Sequence, residues 1–205
     1  MDTSRLEAFS DGVFAIAITL LVLEIKVPPV QVLGLGLLNL WPSYLAYAIS
    51  FIVIGAIWIN HHAMFDWIVR ADQTLLLLNT LQLMFIAFLP FPTAVLSEAF
   101  HAHSGHNIAT AFYAGTLTTI GALVTVIWWY AASRRELLNE AISPEQAKAI
   151  GRRFLIGPMG YGFATILAFV NSWLSIAIFI ALNAYFLWPL RHGLRHDDGE
   201  PEQAA

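Results

Sequence analysis

The 205 residues are 58% hydrophobic and only 12% charged, with 10 Lys and Arg against 14 Asp and Glu, a formal net charge of −4 and a mean hydropathy of +0.67. A soluble domain carries roughly twice that share of charge, so the chain is expected in a bilayer, and at about 20 apolar residues per spanning helix little is left for an extramembrane domain. Charges fall in short stretches between long apolar runs, which excludes a β-barrel; zero Cys excludes disulfides and thiolate chemistry, and the mild net charge gives no reason to expect a nucleic-acid partner.

The apolar runs predict six spanning helices at residues 6–27, 38–59, 75–96, 108–131, 154–170 and 173–190. The fold class is an all-α membrane protein, with residues 1–196 as a six-span transmembrane domain and 197–205 as an acidic, disordered tail. The first run opens on a Ser-x-x-Glu capping box, Ser4 and Glu7, and stops at Pro28-Pro29. It outlasts the apolar region of a secretory signal and no small-residue cleavage site follows, so the helix is expected to be retained. Between the fourth and fifth runs, Ser143-Pro144-Glu145-Gln146 predicts a second capping box with Pro at the first helical position, hence a short surface helix leading into span five. Trp41, Trp128, Trp129, Trp173 and Trp188 at span ends read as interfacial belts.

Orientation follows from the basic residues. Arg5, Arg70, Arg134, Arg135, Lys148, Arg152, Arg153, Arg191 and Arg195 fall on one side of an even set of spans, and only Lys26 falls on the other. The positive-inside rule then places both termini in the cytoplasm.

At about 100° per residue, Arg5, Phe9, Gly12, Ile16, Thr19, Leu20, Leu23 and Val27 share an arc of roughly 100° on the first helix. Asp11 lies about 140° from Ile16, so a helix presenting Ile16, Leu20 and Leu23 to a shared axis turns this carboxylate toward its own subunit. The alternating topology brings Trp58, Asn60, His61, His62 and Asn79 to the same depth as candidate partners. An ionisable group inside a span is a functional candidate that normally has a partner. Three readings stay open for Asp11: a structural lock between helices, an acid favoured by the helix N-terminus, or a proton relay. On pattern alone, the apolar stripe suits lipid or another helix as well as a pore, and Thr19 suits a bond back to its own helix carbonyl.

Arg5-x-x-x-Phe9-Ser10-Asp11-Gly12, continued by Val13-Phe14-Ala15-Ile16-Ala17-Ile18-Thr19-Leu20-Leu21-Val22-Leu23 and by Asn60-His61-His62 near the end of the second run, resembles the signature of the transmembrane protein 175 family of potassium channels. The resemblance covers essentially the whole chain, although its specificity rests on the first helix. It implies a potassium-selective, leak-type channel of the bacterial cell membrane, a homotetramer in which the first helix of each subunit lines a central pore without a re-entrant filter. Carried over by position, Ile16, Leu20 and Leu23 match the apolar pore constriction and Thr19 the selectivity layer. Arg5, Phe9, Ser10 and Asp11 match the motif that holds the first helix against the second and third. The implied partners are K+ as permeant ion, the lipid bilayer and three further copies of the chain, with no cofactor and no metal. Subunit size independently favours a shared axis, since six helices of roughly 10 Å diameter can hardly surround a water-filled path and still pack.

Other signals compete. Gly160-Tyr161-Gly162 matches the core of a conventional potassium filter, but no pore helix precedes it, and close helix packing beside Gly157-Pro158 fits better. His101, His103 and His106 with Glu98 present ligand chemistry for zinc or copper, although no supporting outer-shell pattern accompanies them and a solvated loop is the simpler reading. His61 and His62 project about 100° apart, which does not suit joint coordination of one ion. Glu24 is placed to raise cation concentration at the outer mouth, an effect that Lys26 opposes. The alternative function is a proton-coupled secondary transporter using Asp11; it calls for inverted repeats or paired discontinuous helices, and only span five looks broken. No nucleophile motif or His-Glu-x-x-His pair suggests an enzyme.

Overall fold

The computed structural model describes residues 3–187. Trp188, Arg191, Arg195, the last residues of the sixth predicted span and the tail 197–205 lie outside the described residues. Among the described residues eight α-helices follow one another: α1 Ser4–Leu20, α2 Leu33–Asn39, α3 Trp41–Phe65, α4 Gln73–Phe88, α5 Pro90–His101, α6 His106–Ser133, α7 Pro144–Ala168 and α8 Ser172–Leu187. Among the described residues, four helical segments are long and apolar enough to cross a membrane, namely Ser4–Glu24, Trp41–Phe65, Gln73–His101 and His106–Ser133. The charged first half of α7 and the 16-residue length of α8 keep those two outside that set.

Several elements differ from the sequence-based expectation. Ser4 and Glu7 do not form the expected capping box: Thr3 is the N-cap, its backbone is already helical (φ −81, ψ −14), its side chain makes no capping bond, and Glu7 N donates to Thr3 O. A capping side chain needs an extended backbone at its own position, which Thr3 lacks and Ser143 has (φ −73, ψ 156). The second box accordingly forms, Ser143 Oγ accepting from Gln146 N and Gln146 Oε1 from Ser143 N. The helix it starts runs unbroken to Ala168, so no separate surface helix precedes the fifth predicted span. Residues 38–39 belong to α2, and α3 begins only at Trp41 with Pro42 in its first turn, where a missing N–H is tolerated. The third predicted span breaks at Leu89, where Pro90 starts α5, so span five is not the one interrupted helix.

Pro158 sits inside α7 and cannot donate to the carbonyl of Phe154. Thr125 of α6 supplies the missing donor, its Oγ1 reaching Phe154 O at 3.0 Å and Gly121 O at 2.8 Å. The approach needs glycine: a Cβ at Gly121 would stand 3.1 Å from Pro158 N, and one at Gly160 would stand 2.8 Å from Leu182 Cδ1. Gly160-Tyr161-Gly162 is therefore helical packing surface in α7.

Apolar residues divide into two clusters. One gathers Leu6 of α1, Met64 and Phe65 of α3, Leu75 of α4, Trp128 of α6 and Ile150 of α7, and so marks the end of the bundle where α1, α4 and α7 start and α3 and α6 finish. The other gathers Leu21, Val53, Ile86, Leu96, Tyr113 and Phe179 toward the opposite end. At the first end two connections pair, Val69 N donating to Leu137 O (2.9 Å) and Asn139 N to Trp67 O (2.9 Å) about an isolated antiparallel bridge between Ile68 and Leu138. Trp128 belongs to this cluster rather than to a belt: it is fully buried and donates Nε1–H to Ala147 O at 2.9 Å. Trp41, Trp129 and Trp173 are exposed.

Candidate pore helix

The site is built on α1, which is two-faced. Leu6, Ser10, Phe14, Ala17 and Leu21, spaced three and four apart, are buried against the rest of the bundle. On the opposite side Phe9 is 58% exposed, Ile16 61%, Leu20 39% and Leu23 64%, and nothing lies within 4 Å of a Cβ built on Gly12. Within one chain this apolar face of α1 is left uncovered.

The α-helix ends at Leu20 and tightens into a 3₁₀ turn over Leu21–Glu24. Three residues per turn eclipse positions i and i+3, which sets Leu23 directly over Leu20, where a continued α-helix would rotate it by about 60°. Thr19 donates its single hydroxyl hydrogen back to the helix, to Ala15 O (3.0 Å) and Ile16 O (2.9 Å). Its oxygen lone pairs remain available on the exposed face. Beyond the 3₁₀ turn, Lys26 Nζ lies 3.8 Å from Glu24 Oε2 and donates to Leu23 O at 3.3 Å, so the two charges there oppose each other at close range.

The buried face carries a polar chain. Ser10 Oγ donates to Leu6 O (2.8 Å), Asn79 Nδ2 donates to Ser10 Oγ (3.0 Å), and His61 Nε2–H donates to Asn79 Oδ1 (2.9 Å), which fixes the histidine tautomer. Ser10 and Asn79 are fully buried and His61 is 2% exposed. Phe14 and Phe65 stand against the imidazole with ring centroids 5.3 and 4.6 Å away. These bonds tie α1 to α4 and α4 to α3.

Asp11 lies at the edge of the exposed face, and Trp58 Nε1–H donates to its Oδ1 at 2.8 Å. His62 stacks on Trp58 with centroids 6.0 Å apart and planes 18° from parallel. Of the five candidate partners only Trp58 touches the carboxylate through a described hydrogen bond. Asn79 serves Ser10 and His61 serves Asn79 instead, and Asn60 turns away to donate to Ala56 O (2.7 Å) and Phe186 O (2.9 Å). Arg5 is exposed. Gln82 was not singled out from the sequence, yet it is fully buried one turn beyond Asn79, and its i+3 spacing from Asn79 was the available signal.

The outer-loop histidines do not assemble a metal site: among the described residues no group of three or more His, Cys, Asp or Glu is placed to hold an ion. His101 Nδ1 bonds Ser97 O (3.0 Å), His106 packs on Phe100, and His103 takes a positive φ of 51° in the turn.

A family model described as endosomal/lysosomal potassium channel TMEM175 matches residues 5–90. A potassium channel of Chamaesiphon minutus is 44% identical over 190 residues, covering 90% of this chain and 93% of the relative. A potassium channel of Streptomyces collinus is 40% identical over 189 residues, covering 90% and 91%. The crystal structure of a lysosomal potassium-selective channel TMEM175 homolog from Chamaesiphon minutus superposes with a TM-score of 0.81 at 42% identity, over 90% of this chain and 96% of that one.

Proposed function

This chain belongs to the TMEM175 family, and from that premise we propose that it is a potassium-selective, leak-type channel, a homotetramer of six-span subunits in a bacterial cell membrane with both termini in the cytoplasm. The observation that carries the reading is the two-faced α1, whose polar chain from Ser10 through Asn79 to His61 and whose Asp11–Trp58 bond fasten one side to the subunit while Ile16, Thr19, Leu20 and Leu23 stay uncovered.

Four such faces around an axis form the pore. Rings of Ile16, Leu20 and Leu23 impose a dehydration barrier and gate by dewetting, and a ring of Thr19 oxygens replaces part of an ion's hydration shell. The hydroxyl hydrogen already satisfies the helix backbone, so the oxygen meets a cation with its lone pairs. The 3₁₀ turn stacks the Leu20 and Leu23 rings in register. Asp11 accepts the Trp58 N–H and acts as a lock, not as the coupling carboxylate of a transporter.

Purified protein in planar bilayers tests this through the bi-ionic reversal potential with potassium on one side and sodium on the other. A channel gives a current reversing at a potential that favours potassium. Absence of passive current, or uptake that requires a proton gradient and is lost in Asp11→Asn, would retire the reading.

A further inference from the structure

At the end of the bundle where α7 begins, a cleft of about 500 Å³ opens between α6 and α7, lined by Trp129, Ser133, Arg135, Lys148, Arg152 and Leu155. It lies apart from α1 and from the pore face. Lys148, Arg152 and Arg135 are all exposed, and among the described residues none of the three forms an ion pair. The nearby acid Glu136 is occupied by Arg134 at 3.7 Å. Arg135 is held in place, its Nη2 donating to Ile142 O at 2.6 Å with the other N–H groups of the fork left over. Trp129 is half exposed, its Nε1 is 2.9 Å from where a Gly151 Cβ would stand, and it has no hydrogen-bond acceptor among the described residues.

The basic residues continue into an apolar stripe. Lys148, Arg152, Leu155, Met159, Phe163 and Ile166 follow at intervals of four, three, four, four and three on one face of α7, and Met159, Phe163 and Ile166 are exposed. From Leu155 to Ile166 the helix rises about 16 Å, close to half of a hydrocarbon core about 30 Å thick. Unpaired cations at the water boundary, an aromatic N–H beside them and one leaflet's depth of apolar surface below match a phospholipid rather than a soluble anion.

We propose that this cleft binds the phosphate headgroup of an anionic phospholipid, with Lys148, Arg152 and Arg135 holding the phosphate, Trp129 donating to it, and an acyl chain lying along Leu155, Met159, Phe163 and Ile166. The proposal rests on the membrane reading above but not on ion conduction.

Tryptophan quenching by brominated lipid tests it on the full chain reconstituted in phosphatidylcholine vesicles, the Trp129 signal being isolated by subtracting a Trp129→Phe variant. Brominated phosphatidylglycerol is expected to quench Trp129 at a much lower mole fraction than brominated phosphatidylcholine. The preference falls by about fivefold for each cation removed in K148Q and R152Q. It survives in the charge-conserving K148R/R152K, and in R134Q, whose guanidinium is engaged with Glu136 and with the Tyr130 ring. Equal quenching by the two lipids, an undiminished preference in K148Q/R152Q, or displacement of phosphatidylglycerol by inorganic phosphate would overturn the assignment. Quenching by neither lipid would remove the chain from the bilayer, and with it the reading on which the proposal rests.

Discussion

Replacing Asn79 by Leu isolates the energetics of the buried chain that fastens α1. The side chains are similar in volume, so the effect is dominated by the two hydrogen bonds lost, from Nδ2 to Ser10 Oγ at 3.0 Å and from His61 Nε2–H to Oδ1 at 2.9 Å. Ser10 keeps its bond to Leu6 O, whereas His61 Nε2–H is left without an acceptor at 2% exposure, beyond the reach of bulk water. An orphaned buried donor costs about 1–3 kcal/mol, while polar pairs between membrane helices contribute only about 0.6 kcal/mol on average. The orphan therefore dominates, and the total is about 2–3 kcal/mol. At about 2–4 °C per kcal/mol for a chain of this size, the midpoint of thermal unfolding in detergent, followed by intrinsic fluorescence, falls by about 4–12 °C. His61→Phe in the same background removes the orphan and restores part of the loss, because deleting both partners costs less than deleting one. A midpoint within about 1 °C of wild type, or strict additivity of the two substitutions, would refute the reasoning.

Three further outcomes are expected. Leu20→Ala in the reconstituted channel widens an apolar ring and lowers its dewetting barrier, so single-channel potassium conductance rises and discrimination against sodium weakens; unchanged conductance argues that Leu20 lies off the permeation path. Thr125→Val leaves the Phe154 carbonyl without the donor that replaces the Pro158 N–H, destabilising the protein by about 1–3 kcal/mol in denaturant-induced unfolding. Asp72, the N-cap of α4, has its carboxyl held below the ordinary value of 3.8, first by the hydrogen bond from Tyr130 O–H (2.6 Å) and then by the Leu75 N–H. A depressed folded-state value contributes stability that is complete above 3.8 and fades as the pH drops through the folded-state value. Tyr130→Phe is accordingly less stable than wild type at neutral pH, and the two melting curves converge below about pH 3.8.

What could be read in the sequence was what depends on composition and period. Long apolar runs announce helices, and 100° per residue separates Ser10 and Phe14 from Phe9, Ile16 and Leu20, which the structure buries and exposes respectively. What could not be read depends on three-dimensional partners. Trp58, Asn60, His61, His62 and Asn79 share one depth, and sequence has no means to choose among them; packing assigns Trp58 to Asp11, Asn79 to Ser10, and Asn60 to the Phe186 carbonyl. The 3₁₀ turn at Leu21–Glu24 was hidden because its residues continue the apolar pattern of α1. Trp128 and Trp129 are adjacent in sequence and so share a predicted depth, yet the 100° between them sends one to the core and the other to the surface. Ser4 failed as a cap because a matching pair of residue types does not set the backbone angle.

The proline in α7 carries an evolutionary consequence. Pro158, Thr125 and Gly121 form an epistatic set: the proline creates an unpaired carbonyl, the threonine satisfies it, and the glycine leaves room for the two helices to meet there. A lineage that acquires the proline first, without the hydroxyl opposite, passes through an intermediate with a buried unpaired acceptor. The hydroxyl costs little when it comes first, since a threonine inside a helix bonds its own i−4 carbonyl, as Thr125 does with Gly121 O. The accessible route therefore runs through threonine before proline. In the reverse direction, Pro158→Ala should relieve most of the penalty of Thr125→Val by returning a backbone donor to Phe154.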